Sequence, residues 1–284
     1  MEHEPILPAG TLSCVAVGLS ISGSPDLGRL GLGEVHVELA LGEVARSVLL
    51  AGGRLVYGGH LEPEGYTAFL ISELEKYGHP KRPLVVCLAW QEHRERSLDE
   101  LKAAEHALDV RGKIEYLALD GATVDKAADR DEAPVPVKDP ELRARALTAM
   151  RRHLTELCDA RVLMGGRREG FQGTLPGVIE EARLAIEAGQ PVFFAGGFGG
   201  AVHDAAQTLG LEVDGWPKFS PESRDWHNAL RRTAEEAGWE PTSNGLTHSE
   251  NLRLAATHRP SDVATLVALG LGRLVRDRKL AGEQ

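Results

Sequence analysis

Short apolar runs that end in glycine, each followed by a stretch with helical spacing, recur along this chain, and few folds accommodate that alternation. Leu84 to Ala89 (LVVCLA) is nearly continuous in apolar residues, which suits a parallel strand covered on both faces rather than one wetted on alternate positions. Ser13 to Ser22, Arg54 to Tyr57, Ile114 to Leu119, Arg161 to Met164 and Pro191 to Ala195 are further strands by the same criteria. Helices are expected over 36–50, 64–77, 97–108, 141–158, 176–188 and 199–209, with Ser97 and Glu100 spaced as a capping box. The stretch 121–140, rich in Asp, Ala and Pro, reads as a surface loop. Repeated strand–helix units imply right-handed crossovers and a doubly wound, Rossmann-like α/β sheet with helices on both faces. After Gly210 the pattern turns to helices alone, roughly 221–237, 249–257 and 260–277. We therefore expect a core over 1–210 and a helical extension over 211–284 packed on the same domain.

Charge and cysteine usage narrow the function. A net charge of −10 argues against a duplex nucleic acid partner, which needs a positive face. The cysteines, Cys14, Cys87 and Cys158, are far apart and without metal spacing, so they read as reduced thiols of a cytoplasmic protein. No apolar stretch has spanning length, so no membrane partner is expected. Neither a metal nor a cofactor is called for.

In open parallel sheets ligands bind beyond the carboxyl ends of the strands. Four such ends are rich in glycine and small polar residues. Ser20, Ser22 and Gly23 lie at the end of the first strand, and their hydroxyls and N–H groups suit a phosphate. Gly58 and Gly59 end the second, before His60, and paired glycines admit a ligand close to the backbone. The third loop runs from Gly165 to Gly177, with five glycines in thirteen residues. It holds Gly165 and Gly166, then Arg167 and Arg168, which are able to form charge-assisted bonds to phosphate, then Phe171. Glu180 and Glu181 follow on the first turns of the next helix, where a carboxylate can accept ribose hydroxyls. The fourth loop, Gly196, Gly197, Phe198, Gly199 and Gly200, opens a helix and offers an anion site at its N-terminus. It is not the GxGxxG fingerprint, which belongs after the first strand, so a conventional NAD dehydrogenase is disfavoured. No GxSxG, HExxH or paired CxxC occurs. The scattered His93, His106, His153 and His227 read as ordinary helix or loop residues, and Trp216, Trp226 and Trp239 as packing residues.

With these loops the sequence resembles the SLOG superfamily, the Rossmann-like group that includes the cytokinin-activating phosphoribohydrolases once called lysine decarboxylases. Arg54-Leu-Val-Tyr57-Gly58-Gly59 is similar to the family's second-strand glycine motif, and 195–203 to its P-G-G-x-G-T-x-x-E motif. The likeness covers about residues 12 to 210. On that alignment the glutamate that serves glycosidic cleavage falls on His203, and a neutral imidazole does not replace it. The resemblance thus implies binding without turnover. The stretch GGRREGFQGTLPGVIEEA looks like the sensor domains of bacterial antiphage systems such as the Thoeris effector. That likeness implies an NAD- or ADP-ribose-derived ligand, cyclic or not, with Arg167 or Arg168 on phosphate and Glu180 or Glu181 on ribose. It also implies a homo-oligomer and an effector on another chain. The alternative is a nucleotide phosphoribohydrolase in which Glu180, Glu181 or Asp204 supplies the carboxylate. A third reading is an interaction scaffold.

Overall fold

The computed structural model describes residues 7–62, 64–77, 83–127, 133–212 and 224–281. Among them seven strands form one sheet: β1 (Ala16–Ser22), β2 (Arg54–Gly58), β3 (Leu84–Leu88), β4 (Gly112–Leu117), β5 (Thr123–Val124), β6 (Ala160–Gly165) and β7 (Val192–Ala195). Their order is β5-β4-β3-β2-β1-β6-β7, with parallel pairing throughout except between β4 and β5. This is the doubly wound α/β architecture expected from the alternation. β3 and β6 are buried along their whole length, the condition that permits near-continuous apolar runs.

The helices are α1 (Glu34–Leu50), α2 (Tyr66–Tyr77), α3 (Trp90–Arg94), α4 (Leu98–Leu108), α5 (Pro140–Glu156), α6 (Gly177–Glu187), α7 (Gly200–Thr208), α8 (Arg224–Glu236), α9 (His248–Ala256) and α10 (Pro260–Ala281). On one face of the sheet Val17, Leu19 and Val162 pack with Leu41 and Val44 of α1, Leu70 of α2 and Val263 and Val267 of α10. On the other face Leu163 and Phe194 pack with α6, α7 and α8, while Val56, Val85 and Cys87 pack with Met150 and Leu154 of α5. The helices after residue 210 thus lie against the sheet and its covering helices. Asn244 ties this region to β7 by donating to the Val192 carbonyl (3.0 Å) and to Asn251 Oδ1 (2.8 Å). No helix of the described residues is long and apolar enough to cross a membrane.

Two elements depart from the sequence expectation. The stretch 121–140 contains β5, which turns back on β4 through Ala118, whose carbonyl accepts from Gly121 and whose N–H donates to the Ala122 carbonyl. Gly121 has φ +93°, so a glycine makes that turn possible. A two-residue strand carries too little periodicity to be seen beforehand. The short helix α3 follows β3 with one residue between, within a segment to which no helix was assigned. The capping box forms as expected, with Ser97 Oγ accepting from Glu100 N–H (3.2 Å) and Glu100 accepting from Ser97 N–H (2.7 Å). The expected start of the helix at 221 and Trp216 lie outside the described residues.

His203 sits in α7 with 4 % of its surface exposed, and burial pushes its imidazole down to about 4. The unfolded chain binds that proton near pH 6.5, so the stabilisation is complete above that pH and drains away as pH falls from about 6.5 toward 4. We predict that the urea midpoint drops across this window by the equivalent of about 2 kcal/mol. His203→Gln, which cannot take up the proton, flattens the fall. An equally steep fall in the variant would assign the acid sensitivity to other groups.

Candidate functional site

The order of the sheet reverses at β1, whose neighbours β2 and β6 are followed by helices on opposite faces, and a cleft opens there at the carboxyl ends of the strands. A cavity of about 360 Å³ lies in it. Ile21 and Ser22 of β1 and Tyr57 and Gly58 of β2, with Gly59 and His60 just beyond, line one side. Leu147, Met150 and Arg151 of α5 line another, with Glu92 of α3. The loop between β6 and α6 contributes Gly166, Arg167, Gly170, Phe171 and Gln172, and α6 contributes Gly177, Val178 and Glu181. A second lobe of about 360 Å³ adjoins it, sharing Ile21, Ser22, Tyr57, His60 and Arg167 and adding Gly23, Glu34, Glu38 and Tyr66. Each lobe falls in the size range of small-molecule sites.

The cavity floor is built on a buried charge. Arg161 of β6 is fully buried and pairs in register with Gly18 of β1. A side chain at Gly18 would come within 2.8 Å of Cys158 Sγ and 3.3 Å of the guanidinium, so that glycine makes room for the arginine. Arg161 donates to Glu181 Oε2 (2.9 Å), to Ser20 Oγ (3.1 Å) and to Thr155 Oγ1 (3.1 Å), and Ser20 itself donates to Glu181. Arg151 donates to Glu180 and stands 3.8 Å from Glu181, and Thr148 donates to Glu180 (2.5 Å). Helix α5 is thereby fastened to α6, and Glu181 is the carboxylate of this network that faces the cavity. Burial raises the Glu92 carboxyl above its ordinary value. Burial, then the nearby Glu181, pushes the Tyr57 phenol up.

The glycines of this cleft have two duties. At Gly58 a side chain would meet Leu154 and Met150 at 2.6 Å, and at Gly59 it would meet Thr67 and Tyr57 at 2.5 Å, so both are required by packing as well as lining the cavity. Gly165 and Gly166 take φ +66° and +97°, which turns the chain sharply after β6. Gly166 N–H donates to the Ser22 carbonyl (2.9 Å), and Arg167 is carried to the cavity mouth. Helix α6 starts at the wall of the cavity with no side-chain cap on its N-terminus.

The two arginines of the loop differ. Arg168 is taken up in a latch: its Nε and Nη2 donate to the two oxygens of Asp204 (2.6 and 2.8 Å) and its Nη1 to Asp26 (2.6 Å). Burial opposes its charge, but the hydrogen bonds it donates to Asp204 and Asp26 and the charges of those carboxylates outweigh that and raise its pKa. Arg167 is exposed, makes no hydrogen bond or ion pair among the described residues, and lines both lobes.

The fourth glycine loop has an internal occupant. Asp26 Oδ2 accepts from Gly200 N–H (2.7 Å), so a carboxylate of the chain itself sits at the α7 N-terminus where an outside anion was expected. Gly196, Gly197 and Phe198 are buried, and a side chain on Gly197 would lie 1.9 Å from the Thr257 carbonyl. One on Gly199 would meet Asp26 at 2.6 Å, and one on Gly200 would meet the Gly166 carbonyl at 2.4 Å. None of these five residues lines either lobe, and neither do His203 and Asp204. His203, on which the family's glutamate falls in the sequence comparison, is therefore not at the cavity, and its imidazole does not bear on what the cavity can do.

Of the other residues singled out in the sequence, Ser22, Gly58, Gly59, Gly166, Arg167, Phe171 and Glu181 are brought together around the first lobe, and Gly23 at the second. Ser20, Gly165 and Glu180 lie behind the wall as supports. Arg151 and Glu92 were missed. A detectable signal for Arg151 was a charged residue on the buried stripe of α5, beside Met150 and Leu154.

No curated protein matches the chain. A family model described as SLOG cluster2 matches residues 11–254. That span takes in all seven strands and every residue lining the two lobes, and the chain belongs to the SLOG family.

Proposed function

We propose that the chain binds a nucleotide derived from NAD or ADP-ribose in the double-lobed cavity and does not turn it over. Membership of the SLOG family supports a nucleotide-related function in general terms. The observation that carries the finer reading is Arg167, an exposed guanidinium without an ion pair among the described residues at the junction of two lobes of equal volume. A ligand made of two ring systems joined by phosphates has its charge at its middle, where Arg167 and the uncapped start of α6 supply charge-assisted and dipolar donors. Glu181 at the base of the first lobe is an acceptor suited to ribose hydroxyls.

Absence of turnover is supported by the state of the carboxylates. Glu181 is shared by Arg161, Ser20 and Arg151, Glu180 by Arg151 and Thr148, and Asp204 by Arg168. Carboxylates with their charge so offset are poor partners for a ribosyl cation. The chain would then act as a sensor whose output passes to an effector on another chain through self-association, with antiphage defence as a setting. One observation favours the hydrolase alternative: Glu181 and the raised Glu92 line the same cavity, and two carboxyls in unlike surroundings can divide acid and base roles.

Two measurements test this. Arg167→Ala loses about 1.5–3 kcal/mol of ADP-ribose binding by calorimetry while its melting temperature stays unchanged. Arg168→Ala, which strands Asp26 and Asp204, instead loses about 3–5 kcal/mol of stability. Wild-type affinity in a folded Arg167→Ala would remove this arginine from the site. In the second, ADP-ribose, NAD and AMP are incubated with the protein and followed by mass spectrometry, and each is recovered intact. Free base or ribose 5-phosphate appearing with wild type and not with Glu181→Gln would establish the hydrolase.

A further inference from the structure

Three side chains with metal-ligating atoms meet on the face of the sheet covered by α5, and none of them lines the cavity. Cys87 on β3 and Glu115 on β4 are register partners in a parallel pair, so both side chains leave the same face. His153 reaches them from α5. The thiol sulfur, a carboxylate oxygen and a ring nitrogen all lie within 4.8 Å of one another, and His153 Nε2 is 2.7 Å from Glu115 Oε2. Cys87 is fully buried and its thiol makes no hydrogen bond among the described residues.

We propose that Cys87, Glu115 and His153 bind one divalent ion of zinc type. Thiolate, imidazole and carboxylate together suit a borderline-soft ion, and three protein ligands leave a fourth position for water. Thiolate and carboxylate bring two negative charges against the ion's two positive ones. The ion displaces the thiol proton, which would otherwise be held by burial. Without an ion the carboxylate is served by His153 and by Lys113, and burial, which would raise its pKa, is outweighed by those bonds, which lower it. The Lys113 side chain is 46 % exposed, so its flexible stem can swing the ammonium into water when a dication takes its place. The ligands come from three separate elements, which is why no local cysteine or histidine spacing announces them. The site would pin α5 to β3 and β4, two residues along from Arg151 on the cavity wall. It stands whether or not the cavity binds a nucleotide.

Cobalt reports the site directly, because a cobalt–thiolate bond absorbs in the near ultraviolet and four-coordinate cobalt absorbs strongly in the visible. The tag-free chain titrated with cobalt is expected to develop both absorptions with a one-to-one end point, and zinc is expected to abolish them. Cys14→Ser, which removes the exposed thiol, keeps the bands, and a folded Cys87→Ala loses the thiolate band. His153→Ala loses one-to-one zinc binding in competition with a chromophoric chelator. No thiolate band in wild type, a band lost in Cys14→Ser, or one surviving in folded Cys87→Ala overturns the proposal. The wild-type and Cys14→Ser spectra can still overturn it if the core variant does not fold, and Cys158→Ser, which keeps the band, separates the second buried thiol from Cys87.

Discussion

The buried guanidinium of Arg161 is the constraint on which the arrangement of the cleft depends. A charge with no solvent exposure must be paired and hydrogen-bonded, and removal of its partner typically costs about 3–5 kcal/mol. That requirement accounts for Gly18, which leaves room beside it on β1, for Ser20 one pleat further on, and for Glu181 reaching back from α6. Arg151 continues the chain of charges to Glu180 and so fixes α5 against α6. The side walls of the cavity are therefore positioned by an ionic network behind them.

Arg168 does for the other side of the cleft what Arg161 does for the floor. By holding Asp26 and Asp204 together it joins the turn after β1 to α7, and Asp26 in turn satisfies the first N–H of that helix. A helix N-terminus is an anion site only while its donors are free. Here the anion belongs to the chain, and the exposed mouth is left to its neighbour Arg167. Adjacent arginines with the same chemistry thus end in opposite settings, Arg168 paired with two carboxylates and Arg167 exposed at the lining of both lobes.

Much of this was legible in the sequence. The apolar runs, their spacing and the glycine endings carry the strand–helix alternation and with it the doubly wound class, because those signals are local; the order of the strands comes from the fold. The loops at β1, β2 and β6 were legible too, since a ligand cleft in such a sheet has few places to be. The roles within them were not. A glycine that admits a phosphate and one that admits the Thr257 carbonyl look alike along the chain, and only the fold brings residues 197 and 257 together. Asp26 and Gly200 are likewise 174 residues apart. Arg151 was not singled out, although its position on the buried stripe of α5 marked it. The motif placed at 195–203 drew attention to His203, whereas the carboxylates lining the first lobe are Glu92 and Glu181, the latter six positions beyond the third glycine loop's Leu175.

The most direct test of ligand binding at the two lobes is a crystal structure of the chain with ADP-ribose. The binding reading predicts phosphates within hydrogen-bonding distance of Arg167 where the lobes meet, with Asp26 still on the Gly200 N–H and Arg168 still on Asp204. Phosphates at the start of α7 with Asp26 displaced, or a nucleotide bound outside both lobes, would contradict it.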